Sequence, residues 1–168
     1  NAGINLFTVF KDKKNKMAAD TLKLKGGWVL IDGRAKPAWV NDQTTSQPYP
    51  DDGPIEQALA ELRNTGIVAG DASKGARFRI SWEELHKPEV KAKLAEILNV
   101  PLEAIRLPRE IEWNFLGNAH HEEWGETNSW EWMEDTFQGS GHLIGGYSDL
   151  GGLSHVDWGD PGGRHDHI

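Results

Sequence analysis

Apolar positions along this chain recur at helical spacing through the middle and lose that spacing after Asn118. Ile55, Leu59 and Leu62 fall three and four residues apart behind Pro54, which predicts a helix that opens at Pro54 and ends near Asn64 to Gly66. Ser81-Trp82-Glu83-Glu84 has capping-box form, with Ser as the cap and the Glu three residues on reaching back. The helix it starts is interrupted at Pro88, and Val90, Leu94, Ile97 and Leu98 continue the apolar stripe. Pro108 predicts the first turn of another helix, with Ile111, Trp113 and Phe115 turned inward.

Strand-like patterns flank these helices. Ile4–Phe10 is β-branched and aromatic, Leu22–Ile31 repeats the pattern around a Gly26-Gly27 interruption, and Ala38–Val40 suggests a short third strand. Residues 41–53 are polar and Pro-containing and read as loop. Past Asn118 the chain is mostly Gly, Trp and acids, with only Trp130-Glu131-Trp132 in strand-like alternation. The pattern predicts an α+β fold: two or more helices around a small mixed or antiparallel sheet, with much irregular loop.

Composition narrows the class. A chain of 168 residues with 38% hydrophobic content fits one domain. The absence of Cys excludes a disulfide framework, a thiol nucleophile and Cys-bound zinc. No apolar run is long enough to predict membrane insertion. The opening Asn1-Ala2-Gly3, without Met, is the start expected of a processed or engineered chain and leaves targeting unread. Charge is divided: residues 1–109 carry 17 Lys and Arg against 14 acids, and residues 110–168 one Arg against 12, so the net −8 is the sum of +3 and −11. The acidic C-terminal third argues against a nucleic-acid partner, which needs clustered Lys and Arg. It suits a basic or polar protein surface, or a cation.

Residues 145–168 are the least foldable by composition. Gly, Asp and His dominate, and only Leu150, Leu153, Val156, Trp158 and Ile168 offer much apolar surface. Too little is available to offset chain ordering, so the rest of the domain is expected to act as a frame that holds the segment out.

Four segments, in order, resemble the formylglycine-generating-enzyme version of the C-type lectin fold. Ile80-Ser-Trp-Glu-Glu-Leu85 is similar to that family's V-S-W-x-D-A helix start, and Arg106-Leu-Pro-Arg-Glu-Ile-Glu-Trp113 to its R-L-P-T-E-A-E-W-E motif. Asn128-Ser-Trp-Glu-Trp132 resembles G-N-V-W-E-W, and Gly145-Gly146 the start of G-G-S-W. The resemblance implies a single C-type-lectin-like domain over residues 1–168. Glu110 and Glu112, in the first turn of a helix, complement its dipole, and Arg106 with Glu112 reads as a scaffold ion pair. The family's oxidising enzymes use active-site cysteines, which this chain lacks, so no catalytic role and no cofactor are expected.

The variable proteins of diversity-generating retroelements share the same scaffold, and the tail is similar to their hypervariable segment. Their mutation targets adenines, and the recurring mutable codon is an Asn codon, whose products include Asp, His, Gly, Ser, Tyr and Leu but never Trp, Lys, Glu, Gln or Met. Residues 147–168 contain none of these five except Trp158, whose codon has no adenine. The resemblance therefore implies a scaffold over 1–146 and a variable ligand-binding segment over 147–168. His155, Asp157, Gly159, Asp160, His165, Asp166 and His167 stand at Asn-like positions, with Tyr147, Asp149, Leu150 and Gly151 as further candidates. The implied partner is a protein or cell-surface ligand that changes from variant to variant, met by a trimer or a monomer on a virion or cell surface rather than in the cytoplasm. Two departures stand out. Ser148 occupies the usual Trp position, and the chain stops at Ile168 where these proteins continue with G-F-R, so either a terminal strand is missing or the sheet closes differently.

Other chemistries were weighed. His120, His121, His142, His155, His165 and His167, with Glu122, Glu123 and Asp166, hold donor types that suit Zn²⁺ or Ni²⁺, but no pair has the H-E-x-x-H spacing, and no functional metal is expected. The Trp set suits core packing better than a carbohydrate platform. A metal-dependent enzyme relative acting through His121 or His165, and an undiversified structural or virion component, are the alternatives.

Overall fold

The computed structural model describes residues 24, 26–31, 33, 53–70, 77–127, 129–137 and 139–164. Two compact units emerge, one of Asn1–Lys36 and Pro108–Gly159, the other of Pro37–Leu107 and Asp160–Ile168. Among the described residues there are four α-helices and one three-stranded antiparallel sheet, an α+β architecture.

The second unit is helical. Helix α1 spans Pro54–Asn64 with the proline at its start, as the spacing predicts. Leu59 and Leu62 bury against Val68, Ile80 and Val90, with Ile55, Leu85 and Leu94 partly buried around them. Each such aliphatic side chain, fully buried, contributes about 1.5–3 kcal/mol. The capping box forms: the Glu84 amide donates to Ser81 Oγ at 3.1 Å, and the Ser81 amide donates to Glu84 Oε2 at 3.1 Å. Helix α2 is confined to Trp82–Leu85, and Pro88 begins α3, Pro88–Leu98, because the residue before a proline is driven out of helical conformation. Asn99 ends α3 in the left-handed region, at φ 52°. The buried Arg63 guanidinium donates to the carbonyls of Ala69 and Phe78, fixing both to α1.

The first unit holds α4, Glu110–His120, and the strands β1, Glu131–Phe137, β2, Gly141–Gly145, and β3, Val156–Gly159. The order is β1-β2-β3, with Trp132 opposite Ile144 and Leu143 opposite Trp158. A bulge interrupts β1 between Trp132 and Thr136. Ile111 and Trp113 of α4 pack with Trp124, Met133, Leu143, Leu153 and Val156, and the Trp113 and Trp124 rings stack 4.6 Å apart.

Four expectations need correction. Pro108 precedes α4 rather than entering it, because its carbonyl accepts from the Glu134 amide at 2.9 Å while Asp135 supplies the acceptor that starts the helix at Glu110. Phe115 is 43% exposed, since the buried side of α4 runs through Glu110, Trp113, Asn114 and Gly117, and Phe115 falls roughly opposite at 3.6 residues per turn. Leu24 and Gly26–Ile31 form no strand, and Trp28 and Leu30 are exposed. The Gly26-Gly27 pair contributes no side chain to pack, and Trp28 to Ile31 are all exposed. The chain past Asn118, where only Trp130–Trp132 reads as strand-like, also contributes β2, β3 and 3₁₀ turns. The proposed strands at Ile4–Phe10 and Ala38–Val40 lie outside the described residues.

Candidate functional site

The segment after β2 is built on backbone hydrogen bonds rather than on a core of its own. Gly146 adopts φ 95°, which turns the chain out of the sheet, and its amide donates to the His155 carbonyl at 3.3 Å. The Ser148 amide donates to Thr127 O at 2.9 Å and the Gly152 amide to Tyr147 O at 2.9 Å, which closes a compact loop through the 3₁₀ turns Ser148–Leu150 and Gly152–Ser154. Leu153 is the loop's apolar anchor. Its side chain lies where a methyl on Gly117 would stand, 2.5 Å from Leu153 Cδ2, and Asn114 Nδ2 donates to its carbonyl at 2.6 Å.

This framework places the candidate residues differently from one another. Tyr147 stacks on Trp130, with ring centroids 5.0 Å apart at 21°, and His155 meets the same indole at 5.0 Å and 57°. Tyr147 and His155 thus converge on Trp130, which sequence reasoning assigned to the scaffold. Asp149 lies in the first 3₁₀ turn, and Leu150 and Gly151 are exposed at its end. On β3, Asp157 is exposed and its Oδ1 accepts from the Trp158 amide at 2.8 Å. Trp158, 53% exposed, lies over Gly141 beside Phe137. Gly159, expected among displayed positions, is buried: a Cβ there would stand 2.8 Å from Trp132 Cη2. Asp160 belongs to the second unit, is exposed, and accepts from the Gly162 amide at 2.9 Å. His165, Asp166 and His167 lie outside the described residues.

Beyond Asp160 the chain is clamped within the second unit. Arg164 Nε and Nη2 donate to the two Glu84 oxygens at 3.0 and 2.9 Å, and the Glu83 amide donates to Pro161 O at 3.0 Å. The same carboxylate accepts from the Ala69 amide at 2.8 Å. Burial alone pushes Glu84 up, but the Arg164 hydrogen bonds and the amides of Ala69 and Ser81 outweigh it and hold the carboxyl at about 2. A pair 80 residues apart carries no local sequence signal, so only the isolation of Arg164 in an acidic tail pointed to it.

A second carboxylate cluster lies beneath the start of the loop. Glu110 is fully buried, and among the described residues neither of its carboxyl oxygens has a hydrogen-bond partner. A Cβ on Gly145 would lie 3.1 Å from Glu110 Oε2 and 3.2 Å from the His155 carbonyl oxygen. Asp135 Oδ2 accepts the Glu110 amide at 2.6 Å, and Asp135 Oδ1 stands 3.9 Å from Arg109 Nε. The expectation that Glu110 and Glu112 both serve the helix dipole holds for Glu112, which accepts from the Arg109 amide at 2.9 Å. For Glu110, burial prevails. A helix dipole favours an anion by about 0.3–2 kcal/mol, whereas burying an unpaired carboxylate costs several kcal/mol. Burial, with the Asp135 charge adding to it, pushes Glu110 up to about 8. Asp135 is itself raised by burial, against the opposing pull of the Glu110 amide and Arg109.

Among the described residues the histidines do not assemble into a ligand cluster. His121 Nδ1 is 3.0 Å from Glu123 Oε1 and its ring stacks on Trp124 at 4.3 Å. Among the described residues no three His, Asp or Glu side chains converge as metal ligands. Nor, among those residues, is any helix long and apolar enough to cross a membrane. No protein-family model, curated protein or solved structure matches the chain.

Proposed function

We propose that the protein is a non-catalytic ligand-binding protein, a C-type-lectin-like scaffold that displays a hypervariable C-terminal surface diversified by an adenine-directed retroelement. Its partner is a protein or cell-surface ligand, as for a receptor-recognition protein on a virion or cell. The observation that carries the reading is the separation of anchoring from display along residues 147–164. Leu153, Val156, Pro161 and Arg164 are tied to the surrounding structure, whereas Leu150, Gly151, Asp157 and Asp160 are exposed. All four are residue types that an Asn codon yields by adenine mutation; Asp157 and Asp160 bond backbone amides next to them in the chain, those of Trp158 and Gly162, and Gly151 turns the loop at φ 124°. Exposed side chains on a backbone already fixed can change at little cost to folding, and a fixed backbone limits the entropy lost on binding.

Sequencing the DNA that flanks the gene tests the proposal. A reverse-transcriptase gene and a near-copy of the codons for residues 147–168, mismatched at template adenines alone, are the expected result. A flank without either overturns the retroelement origin.

A further inference from the structure

We propose that Glu110 is a proton-operated latch beneath the Gly145–Tyr147 turn. Neutral, it lets α4 seat against the backbone of Gly145; ionised, it forces that end of the sheet apart and frees Tyr147 and His155 from Trp130. The inference concerns the fold and stands whether or not the segment is diversified.

The geometry leaves a charge at Glu110 no accommodation. Both carboxyl oxygens are buried without a hydrogen-bond partner among the described residues, and the amide that would greet an anion at the start of α4 is already given to Asp135. Gly145 is the contact point, because only the missing side chain leaves room for Oε2. The groups around the carboxyl are mostly acidic. On α4, Glu112 is bonded to the Arg109 amide, and Arg109 leans on Asp135. On β1 stand Asp135, Glu134 and, paired with Gly145, Glu131. β2 has His142 as its one titratable residue, three positions from Gly145 and on the alternate face, and His155 precedes β3 with its carbonyl toward Gly145. With burial holding the carboxyl near 8, it changes charge at mildly alkaline pH.

What an ionised Glu110 would push on is the start of the display loop. The Gly146 amide and His155 carbonyl are bonded to each other at 3.3 Å, a long bond and thus a weak one, and Trp130 is the ring on which the flanking Tyr147 and His155 rest.

The test uses the full chain. Carbon-13 carboxyl NMR of the glutamate-labelled protein is expected to show one Glu titrating with a midpoint near 8. Near-UV circular dichroism from pH 6 to 9 follows the aromatic contacts and is expected to change with the same midpoint, below the range where tyrosine ionises. Glu110→Gln should make the dichroism flat, in the low-pH form, and Gly145→Ala should show the high-pH form throughout. The proposal is overturned if every glutamate titrates below pH 6, if the Glu110 carboxyl titrates without any dichroism change, or if Glu110→Gln keeps the transition. The wild-type NMR and dichroism decide the matter even where a variant does not fold.

Discussion

Gly159 and Asp157 stand two residues apart on β3 and are expected to respond oppositely to substitution. A methyl on Gly159 would meet the Trp132 ring at 2.8 Å, with the ring itself buried, so Gly159→Ala should cost about 1–3 kcal/mol as overpacking. Asp157 points to solvent, and Asp157→His should change stability by less than about 0.5 kcal/mol. Urea denaturation of the two variants separates them. Two carboxyls then set opposite pH limits. Glu84, depressed from 4.5 to about 2, contributes stability that is complete above 4.5 and is lost as pH falls through about 2. Glu110, raised from 4.5 to about 8, keeps its proton in the fold where the unfolded chain has lost it. Its contribution is therefore complete below 4.5 and is lost as pH rises through about 8. Melting temperatures between pH 4.5 and 9 should fall more steeply for wild type than for Glu110→Gln; parallel curves would mean that Glu110 titrates as an ordinary glutamate.

At the scale of elements, the contact of α4 with the 3₁₀ turn Gly152–Ser154 combines core packing of Leu153 with one side-chain bond and one missing methyl. Asn114→Ala removes a buried donor from the Leu153 carbonyl and should cost about 1–3 kcal/mol. Gly117→Ala, which in an exposed helix would gain about 0.5–1 kcal/mol, should instead destabilise, because three Leu153 atoms lie within 3.2 Å of the new methyl. Thermal melts of both variants check the pair. Helices α1, α2 and α3 were legible in the sequence because their information is local: a proline start, a reciprocal cap, an apolar stripe. The inward side of α4 was legible at Ile111 and Trp113 but not beyond them, because the rest of its buried face is filled by Glu110, Asn114 and Gly117, residues that an apolar template assigns to solvent. Strand β3 was hidden for a related reason. Val156-Asp157-Trp158-Gly159 has only one large apolar residue besides its Val, and it is a strand through pairing with the fully buried β2. Within the candidate site, Leu150 and Asp157 are exposed, whereas the convergence of Tyr147 and His155 on Trp130 depends on a loop closure that no local pattern encodes.

At the scale of the whole chain, the C-terminal segment is a structural part of what surrounds it. Residues 147–159 belong to the unit that contains the sheet, and residues 160–164 to the helical unit. Within the helical unit, Pro161 accepts the Glu83 amide and Arg164 grips Glu84, whose carboxylate also holds the Ala69 and Ser81 amides. Removing Asp160–Ile168 therefore strips the cation from a buried carboxylate and an acceptor from the first turn of α2. Breaking a fully buried pair in this way costs about 3–5 kcal/mol. Arg164 is half exposed, so solvent screening reduces the expected loss to roughly 1–3 kcal/mol. Because Glu84 joins the 69–70 stretch to the capping box, the loss should reach the helical core through Val68 and Ile80. Amide exchange at Leu59, Leu62, Ile80 and Val90 is expected to quicken about 5- to 150-fold in the truncated chain, the range that corresponds to this loss. Arg164→Ala should reproduce most of the effect at pH 7 and little of it near pH 2, where Glu84 takes up its proton in either protein. Unchanged exchange after truncation would instead make residues 160–168 a passive extension, and the frame would then end at Gly159.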